Sequence, residues 1–364
     1  MTMKTVGGRM TLALVIGGAA IASSATATTV YTETNSASGN AVQIYQTGAD
    51  GSLALTQTVS TGGFGSGAGL GNQGALALSN GGRWLYAVNA GSNEISVLSV
   101  SDSGLALVEH VSSGGTKPVS LTVHDRLVYV LNSGASGNIT GFRIMADGHL
   151  QAIANSTRPL SSATAGAAQI GFDREGELLV VTEKATNRIS TYSVNDDIPT
   201  GPVAHASHGM TPFGFAIDRR DTLLVSEAFG GKANAAALSS YNLDEPGSLE
   251  VISGSVPANQ TAACWVVMGG RGQYAYVTNT GSGTLTGYRV DRSGALTRLS
   301  ADGVTAITGG GPTDAGASAD GRSLFVLSPS IGQLVSLRLN ADGSLTKLGS
   351  TAGAPGTATG VVVR

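Results

Sequence analysis

Two glutamates of this 364-residue chain end corresponding apolar segments and have the chemistry of general bases. Glu183 and Glu227 interrupt a series of positions otherwise occupied by Asn or Ser. Carboxylates that a fold brings close together raise each other's pKa, which suits a group that must accept a proton. Each glutamate could instead pair with a neighbouring cation, Lys184 or Lys232, so a structural role stays open.

His208 is the best placed of the five histidines to join that chemistry, because it directly precedes a predicted inner strand. The free pKa of histidine suits acid–base work near neutrality. A lone histidine can equally be structural or simply exposed. Further polar or aromatic residues at corresponding points are candidates for substrate binding: Asn132, Gln169, Lys184, Phe213, Gln260, Asn279 and Asp314. Among these, the amides of Gln169, Gln260 and Asn279 could polarise a carbonyl group.

These candidates are positioned by a unit that recurs seven times along the chain. Each unit has an apolar strand, a Gly-rich turn, a second strand ending in Asn or Glu, a polar loop and two more strands. The second strands end at Asn35, Asn89, Asn132, Glu183, Glu227, Asn279 and Ser328, in steps of 54, 43, 51, 44, 52 and 49 residues. Steps of roughly 40 to 50 residues are typical of four-stranded propeller blades. The repeats therefore predict an all-β, seven-bladed β-propeller with antiparallel blades.

The two ends of the repeat region predict how the ring closes. Residues 30–35 form a second strand without a first, and residues 355–363 form a first strand without successors. Together they would complete one blade and remove an exposed sheet edge. We therefore expect a single propeller domain over residues 28–364.

Tight turns and face geometry follow from the same pattern. Asp-Gly or Ser-Gly pairs such as Asp50-Gly51 and Asp147-Gly148 predict type I′ hairpins between the third and fourth strands. The start of each first strand and the end of each second strand should share one face, so the candidate residues are expected around the mouth of the central channel. The loop over residues 228–237, the longest of those that follow a second strand, could be a lid or simply solvated.

The N-terminus predicts export. Lys4 and Arg9 precede an apolar stretch over residues 12–21, and small residues at 25–27 offer a cleavage site, so residues 1–27 are interpreted as a signal peptide. The stretch is shorter than the about 20 residues of a membrane span, although an uncleaved anchor stays an alternative. We expect a secreted or periplasmic protein that leaves the membrane after cleavage.

Charge and cysteine usage exclude several function classes. The chain has a formal net charge of −3, and it shows no run of Lys and Arg that would favour nucleic acid. Cys264 is alone, which excludes an internal disulfide and favours a small buried side chain. No zinc-type cluster and no Gly-x-Ser-x-Gly segment occurs, so we expect no metal and no cofactor, a monomer, and water activated by a carboxylate or histidine instead of a covalent serine.

The repeats resemble the seven-bladed lactonase family, which includes propeller-type 6-phosphogluconolactonases and carboxymuconate cyclases. The segments that carry the resemblance are residues 318–326, 341–345 and 180–183, and it extends from about Val30 to Val363. It implies the propeller fold and a lactone-opening activity.

The family's ring-opening site includes a Pro-Arg-His phrase at the start of an inner strand and a Glu at the end of the next strand. Glu183 matches that Glu, but Ala167-Ala168-Gln169 stand at the Pro-Arg-His positions. The next repeat keeps Pro212 and Glu227, with Phe213-Gly214 where Arg-His would stand. Since Arg forks favour phosphate, their loss argues against a phosphorylated substrate.

The sequence therefore predicts an exported lactonase-like hydrolase of a non-phosphorylated lactone or related ester. A propeller that binds a glycan, peptide or partner protein on the same face without catalysis is the alternative. A third interpretation is a calcium site formed by four oxygen-bearing side chains, Asn132, Glu183, Asn279 and Asp314.

Overall fold

The computed structural model describes residues 1–5, 7, 28–243 and 248–364. Its strands form seven separate antiparallel sheets, and the inner strands contact one another in a closed ring. The predicted all-β, seven-bladed propeller is therefore confirmed. The predicted signal peptide, residues 1–27, lies outside the described residues except for 1–5 and 7, so it stays a prediction. Within the described part of the chain, no helix has the length and hydropathy of a membrane span.

Each blade has four strand positions, counted outward from the central channel. The first strands, from blade 1 to blade 7, are β30 (Thr359–Val363), β4 (Leu76–Leu78), β8 (Pro118–His124), β13 (Ala167–Phe172), β17 (Pro212–Ile217), β21 (Ala263–Gly269) and β26 (Asp314–Ala317). The second strands are β1 (Thr29–Glu33), β5 (Trp84–Asn89), β9 (Leu127–Asn132), β14 (Leu178–Glu183), β18 (Thr222–Glu227), β22 (Tyr274–Asn279) and β27 (Ser323–Ser328).

The outer half of each blade completes the sheet. The third strands are β2 (Ala41–Thr47), β6 (Glu94–Ser101), β10 (Asn138–Ile144), β15 (Arg188–Asn195), β19 (Ala237–Asn242), β23 (Thr284–Val290) and β28 (Gln333–Leu339). The fourth strands are β3 (Leu53–Ser60), β7 (Gly104–Ser112), β11 with β12 (Leu150–Ala152, Arg158–Pro159), β16 (Ile198–Ala206), β20 (Glu250–Pro257), β24 with β25 (Leu296–Arg298, Ala306–Ile307) and β29 (Leu345–Ala352). Within residues 28–243 and 248–364, three single-turn 3-10 helices lie at Phe229–Gly231, Gly270–Gly272 and Pro329–Ile331.

This topology gives the ring two different ends. The links that join each fourth strand to the next first strand emerge at one end, together with the loops between second and third strands; we call it the link face. The tight turns between first and second strands lie at the other end, which we call the turn face.

The ring closes through both ends of the propeller, as the sequence predicts. β1 pairs with β30, and Val30 lies opposite Val363. Blade 1 therefore takes its innermost strand from the C-terminus and its other three from the N-terminal region. This pairing leaves no inner edge of blade 1 exposed.

The core consists of apolar clusters between neighbouring blades. In one of them Leu131 of blade 3 packs with Val181 and Tyr192 of blade 4, and all three side chains are fully buried. Burying a side chain of this size stabilises the fold by about 2 kcal/mol. Repetition of such clusters around the ring fixes the position of every second strand.

The first blade differs from the sequence prediction by two residues. β1 ends at Glu33, whose carboxylate accepts a hydrogen bond of 2.7 Å from Asn40. Asn35, the predicted end, has a left-handed φ of 47° and lies beyond the strand. Its amide instead binds the carbonyl of Ala68 at 2.6 Å. Glu33 therefore occupies the repeated position in blade 1, and Asn35, two residues later, only resembles the Asn of the other blades.

The predicted type I′ turns are wrong. Positive φ occurs only at the glycine, for example 81° at Gly51 and 93° at Gly148, whereas a type I′ turn needs it at two consecutive positions. The Gly148 amide donates to Met145 O at 2.9 Å, which closes a four-residue turn that ends at the glycine. The aspartate before it accepts a bond from the residue after it, as Asp50 does from Ser52 at 2.9 Å.

Candidate functional site

The side chains that end the second strands are buried near the link face and bind outward, away from the channel. Asn89, Glu183, Glu227 and Asn279 are all fully buried. Each is bonded to a hydroxyl seven or twelve residues later on its own third strand: Ser96 at 2.7 Å, Ser190 at 2.9 Å, Ser239 at 2.5 Å and Thr286 at 2.8 Å. The repeated position therefore fastens the second strand to the third, and its side chains do not form one pocket at the channel mouth.

Glu183 is enclosed by hydrogen-bond donors of blade 4 and of the link that enters it. The backbone of Ser161 donates to Oε1 at 3.0 Å, and the Ser161 hydroxyl donates to Oε2. Thr186 and Ser190 donate to the two oxygens at 2.9 Å each. Four donors on one carboxylate satisfy a buried charge without any cation.

Glu227 has a different set of partners, and one of them leads to the surface. Its Oε1 accepts bonds from the backbone of Gly209 at 2.8 Å and from Ser239 at 2.5 Å. Its Oε2 accepts a bond of 2.6 Å from the hydroxyl of Ser255. The Nδ1 atom of His208, an exposed side chain, lies 2.9 Å from the same Ser255 oxygen. We call this row of Glu227, Ser255 and His208 the blade-5 row.

A local irregularity of the outer strand β20 positions Ser255. The pairing of β19 with β20 shifts register twice, between Leu238 and Ser240 and again between Ser240 and Tyr241, whereas β6 with β7 shifts only once. In the first of these shifts Ser255 adopts a left-handed φ of 42°. A bulge re-aims a side chain, and a non-glycine residue with this backbone costs about 1 kcal/mol, which marks a place where function is worth testing.

Two glycines make room for the row. A Cβ on Gly209 would lie 2.2 Å from Glu227 Oε2 and 2.8 Å from Ser255 Oγ. A Cβ on Gly254 would lie 2.3 Å from His208 Nε2. The imidazole therefore covers the backbone beside Ser255, and the segment 228–237 lies next to it, since Phe229 N binds Met210 O at 3.1 Å.

The three amides predicted to polarise a carbonyl all bind protein groups. Gln169 accepts from Phe215 N at 2.6 Å and donates to Phe215 O at 3.0 Å. Gln260 donates to Asp302 O at 3.0 Å, and Asn279 donates to two threonines of its own blade. Gln169 and Asn279 each join two strands, and Gln260 joins a link to a loop. None of the three contacts the blade-5 row. A substrate-binding role for them stays a prediction.

Residues 61–75, the link from blade 1 to blade 2, close the mouth of the central channel. This link has 15 residues, against five to seven in the other six. Asn72 and Gln73 reach inner strands of four blades: Thr359 in blade 1, Val119 in blade 3, Ala168 in blade 4 and Val266 in blade 6. The channel mouth, where the sequence places the pocket, is therefore occupied by the chain itself.

Lys184 and Phe213 meet at this closed mouth. The ammonium of Lys184 donates to Gly71 O at 2.5 Å and to Ala167 O at 3.3 Å, and it lies 4.6 Å from the centre of the Phe213 ring. Burial lowers the pKa of Lys184 to about 8. Trp265 packs 5.2 Å from Phe213. This cation therefore binds residues 61–75, which we call the plug, and its predicted substrate-binding role stays a prediction.

Cys264 and Asp314 are buried, and burial changes the acidity of both. The predicted burial of Cys264 is confirmed, and desolvation raises the pKa of its thiol to about 11. Desolvation likewise raises the pKa of Asp314 to about 8. The Oδ2 atom of Asp314 has no hydrogen-bond partner among the described residues. A carboxyl group that keeps its proton at pH 7 is a poor ligand for Ca²⁺.

The four residues of the calcium interpretation lie in four different blades, and each has its own local partners. Asn132 binds Ser113 O at 3.1 Å and Asn138 Oδ1 at 2.8 Å. Over residues 28–243 and 248–364 no group of three or more His, Cys, Asp or Glu side chains could hold a metal ion. The geometry gives that interpretation no support.

Sequence reasoning missed Ser255, Asn72 and Gln73. The plug had a signal, because residues 61–75 are unusually long and Gly-rich for a link. Ser255 had none that composition could supply, since its position depends on a bulge. Of the predicted residues, the structure brings together Glu227 with His208 through Ser255, Lys184 with Phe213, and Gln260 with Asn279 through Thr284.

Comparison with protein families supports the resemblance. Residues 30–159 match the family described as "Lactonase, 7-bladed beta-propeller". This range covers most of blade 1 and all of blades 2 and 3. The resemblance to the seven-bladed lactonase family, stated from the sequence, is confirmed by this match. A comparison with curated proteins gives no match.

Solved structures of similar fold span almost the whole chain. A putative 6-phosphogluconolactonase from Bacteroides fragilis has a TM-score of 0.73 at 17% identity, over 94% of this chain and 99% of its own. A periplasmic gluconolactonase from Pseudomonas aeruginosa has a TM-score of 0.68 at 18% identity, over 93% and 98%. A hypothetical selenium-binding protein from Sulfolobus tokodaii has a TM-score of 0.63 at 11% identity, over 94% of both chains. At these identities the likeness establishes the fold alone.

Proposed function

We propose that this propeller, which resembles the seven-bladed lactonase family, is an exported hydrolase of non-phosphorylated lactones or related esters. The observation that carries the proposal is the blade-5 row, in which a buried carboxylate accepts a 2.6 Å bond from a serine hydroxyl that also contacts an exposed histidine. Such a row can move a proton between a buried base and an acyl group at the surface.

Ser255 is the hydroxyl that Glu227 can deprotonate, because the two groups are already bonded. As Ser255 Oγ bonds to the acyl carbon, its proton passes to Glu227 Oε2. That proton then goes to the ring oxygen as the C–O bond of the lactone breaks. In the second step water attacks the acyl carbon and gives a proton to Glu227. That proton passes to Ser255 Oγ as its bond to the acyl carbon breaks, so the hydroxy acid is released and both residues are restored.

His208 acts on this chemistry through Ser255. In the tautomer with hydrogen on Nδ1, it donates to the lone pair of Ser255 Oγ, so the serine O–H points to Glu227. His208 is in this mechanism a positioning residue. The sequence predicted water as the nucleophile, and Ser255 now offers an alternative that the experiment below separates from it.

A non-phosphorylated substrate fits the cations at the link face. Lys184 is bound to two carbonyl groups and an aromatic ring at the plugged mouth. The inner strands of blades 4 and 5 carry Gln169 and Phe213 where the family has Arg or His. A phosphate group would therefore lack the forked guanidinium that it prefers.

The proposed export rests on the sequence of residues 1–27, and the similar Pseudomonas aeruginosa protein is described as periplasmic. Fractionation of cells that express the full chain tests it, with N-terminal sequencing of the product. A mature N-terminus at residue 28 in the exported fraction is expected, and a full-length cytoplasmic product would contradict export.

A hydrolysis screen tests the activity. We expect the protein to hydrolyse members of a panel of unsubstituted γ- and δ-lactones and phenyl esters, and to hydrolyse 6-phosphogluconolactone only slowly. Addition of a chelator should leave these rates unchanged. Glu227→Gln should lower kcat/KM by about 10² or more, since a general base contributes that much. Glu183→Gln is the matched control and should keep its activity. Equal turnover of wild type and Glu227→Gln would remove the assignment.

The alternative is a propeller that binds a glycan, peptide or partner protein without changing it. The plugged channel favours it, because residues 61–75 leave the link face without an open central pocket. Absence of hydrolysis across the whole panel, together with saturable binding to the link face, would support this second candidate.

A further inference from the structure

The turn face carries a concentration of arginines that the sequence does not show. A cavity of about 520 Å³ lies between blades 5 and 6, among the turns over residues 218–220, 271–273 and 289–292. It is lined by five arginines from three separate segments: Arg219, Arg220, Arg271, Arg289 and Arg292. These are five of the chain's 21 Lys and Arg residues. We call this cavity the arginine groove.

Two of the five guanidinium groups are held in place. Arg220 donates from Nε and Nη2 to Oδ2 of Asp218 at 3.0 and 2.5 Å, and only 3% of the Asp218 side chain is exposed. Arg289 stacks over the Tyr274 ring at 5.5 Å. These two side chains therefore contribute positive charge at fixed positions in the lining and lose little rotamer freedom when a ligand binds beside them.

The other three, Arg219, Arg271 and Arg292, are exposed and have no carboxylate within ion-pair distance in the described part of the chain. Both aspartates of the groove are already engaged. Asp218 binds Arg220, and Asp291 accepts from Ser293 N at 2.8 Å and Ala295 N at 3.0 Å. The lining therefore has five positive charges against two negative ones, in a chain of formal charge −3.

The backbone conformation at Arg271 is a second observation, independent of the charge, that draws attention to the groove. Arg271 has a left-handed φ of 58° between two glycines that are also left-handed. Comparable turns of blades 2 and 7 place glycine at the left-handed position, with Gly82 at 63° and Gly321 at 67°. A side chain with this backbone is less favourable than glycine, so Arg271 is a position where a role for the guanidinium is worth testing.

A smaller cavity of about 230 Å³ continues the groove towards the channel axis. It shares Arg219 and Arg271 and adds the apolar side chains of Ile217 and Met268. A ligand with acidic groups in the groove could extend a short apolar part into this space. Cavities of roughly 300 to 1,000 Å³ are typical of small-molecule sites.

We propose that the arginine groove binds a small organic anion with two or three carboxylate or phosphate groups, which Arg219, Arg271 and Arg292 hold by forked hydrogen bonds. This site lies on the turn face, opposite the blade-5 row, so it is independent of the proposed hydrolase activity.

Titration calorimetry of the purified protein tests the proposal, with citrate and tripolyphosphate as probes and acetate as a monovalent comparison. We expect saturable 1:1 binding of one or both polyvalent anions at low salt, a loss of about tenfold or more at 0.5 M NaCl, and no saturable binding of acetate. The citrate and tripolyphosphate arms separate carboxylate from phosphate recognition.

Two sets of variants locate the site. Arg219→Ala combined with Arg292→Ala should weaken binding at least tenfold. Arg83→Ala with Arg126→Ala is the matched control, because these residues line a cavity of about 550 Å³ at the corresponding turns of blades 2 and 3. Arg271→Gly relieves the left-handed backbone, so it should raise the melting temperature while lowering affinity.

Equal affinity in the wild type and the Arg219→Ala, Arg292→Ala protein would overturn the proposal. So would an equal loss in the control variant, since the effect would then be one of net charge. Binding of heparin without saturable binding of either small anion would also overturn it, in favour of a polymeric ligand.

Discussion

Blades 4 and 5 place the same residue in the same position and surround it differently. Glu183 and Glu227 both end a second strand, and both are fully buried. The donors to Glu183 come from the incoming link, the adjacent loop and the third strand. Glu227 instead receives its last donor from Ser255, on the outermost strand, and that serine contacts an exposed imidazole. Blade 4 thus has a closed carboxylate, and blade 5 has one connected to the surface.

This difference shows how a repeated structural position can acquire chemistry. In most blades the position fastens two strands, and an amide such as Asn89 or Asn279 suffices. In blade 5 one additional bulge and one histidine connect the side chain at this position to the surface. The residue after the glutamate differs as well, because Lys184 turns into the channel mouth whereas Ala228 follows Glu227.

The largest effect on activity is expected when the serine bound to Glu227 is replaced, and the serine bound to Glu183 provides the control. Ser255→Ala should lower kcat/KM for the best lactone by about 10³-fold or more, since it removes the nucleophile. Ser161→Ala removes the corresponding hydroxyl from Glu183 and should leave kcat/KM unchanged. Mass spectrometry of wild type with a slowly released ester should show an acyl group on the peptide that contains Ser255.

The outcome separates two mechanisms. Full activity of Ser255→Ala, with Glu227→Gln inactive, would mean that the carboxylate activates water directly. Loss of activity in both serine variants would indicate that the difference between the blades is one of stability alone.

A smaller effect is expected from the histidine. His208→Leu should lower kcat about tenfold to a hundredfold with little change in KM, because the serine hydroxyl loses its orienting donor. His208→Gln, whose amide can donate in the same place, should recover most of this activity. His205→Leu is the control, since His205 binds Thr191 at 3.1 Å in blade 4. Equal losses in both leucine variants would contradict a specific role for His208.

The free energy of unfolding should show the reverse order of the activity, with the larger loss in Glu183→Gln. Glu183→Gln leaves four donors facing an amide that offers one acceptor, so we expect it to lower the free energy of unfolding by about 2 to 3 kcal/mol. Glu227→Gln has three donors to lose and should cost about 2 kcal/mol. Urea unfolding of both variants measures this. If Glu227→Gln lowered the free energy of unfolding more than Glu183→Gln, the blade-5 row would be less strained than the φ of Ser255 indicates.

The sequence predicts the scaffold far better than the site. Spacing of the second strands and the half-blades at the two ends are set by local strand and turn chemistry, so both were readable from residues such as Val30 and Val363. The end of β1 was misplaced because Asn35 resembles the repeated Asn, although Glu33 makes the bond to Asn40.

The site depends on contacts that no local pattern encodes. Ser255 reaches Glu227 across 28 residues only because a bulge turns its side chain. Gln73 reaches Val266 across 193 residues because a long link enters the channel. Arginines from three separate segments of the sequence meet at one groove for the same reason, since neighbouring blades bring their turns together.

The smallest expected effect tests the residue after Glu183. Lys184 has its pKa lowered by burial from 10.5 to about 8, so between these values the unfolded chain binds more protons than the folded one. Stability from this group therefore rises as pH rises from 7 to 9, by about 1 kcal/mol. In Lys184→Met that contribution is absent. Subtracting the unfolding free energy of the variant from that of the wild type at each pH cancels the titration of groups that do not interact with Lys184, such as Asp314. A difference that stays constant from pH 7 to pH 9 would mean that the ammonium is hydrated and does not hold the plug, whereas a rising difference would confirm that blade 4 uses its strand end to close the channel.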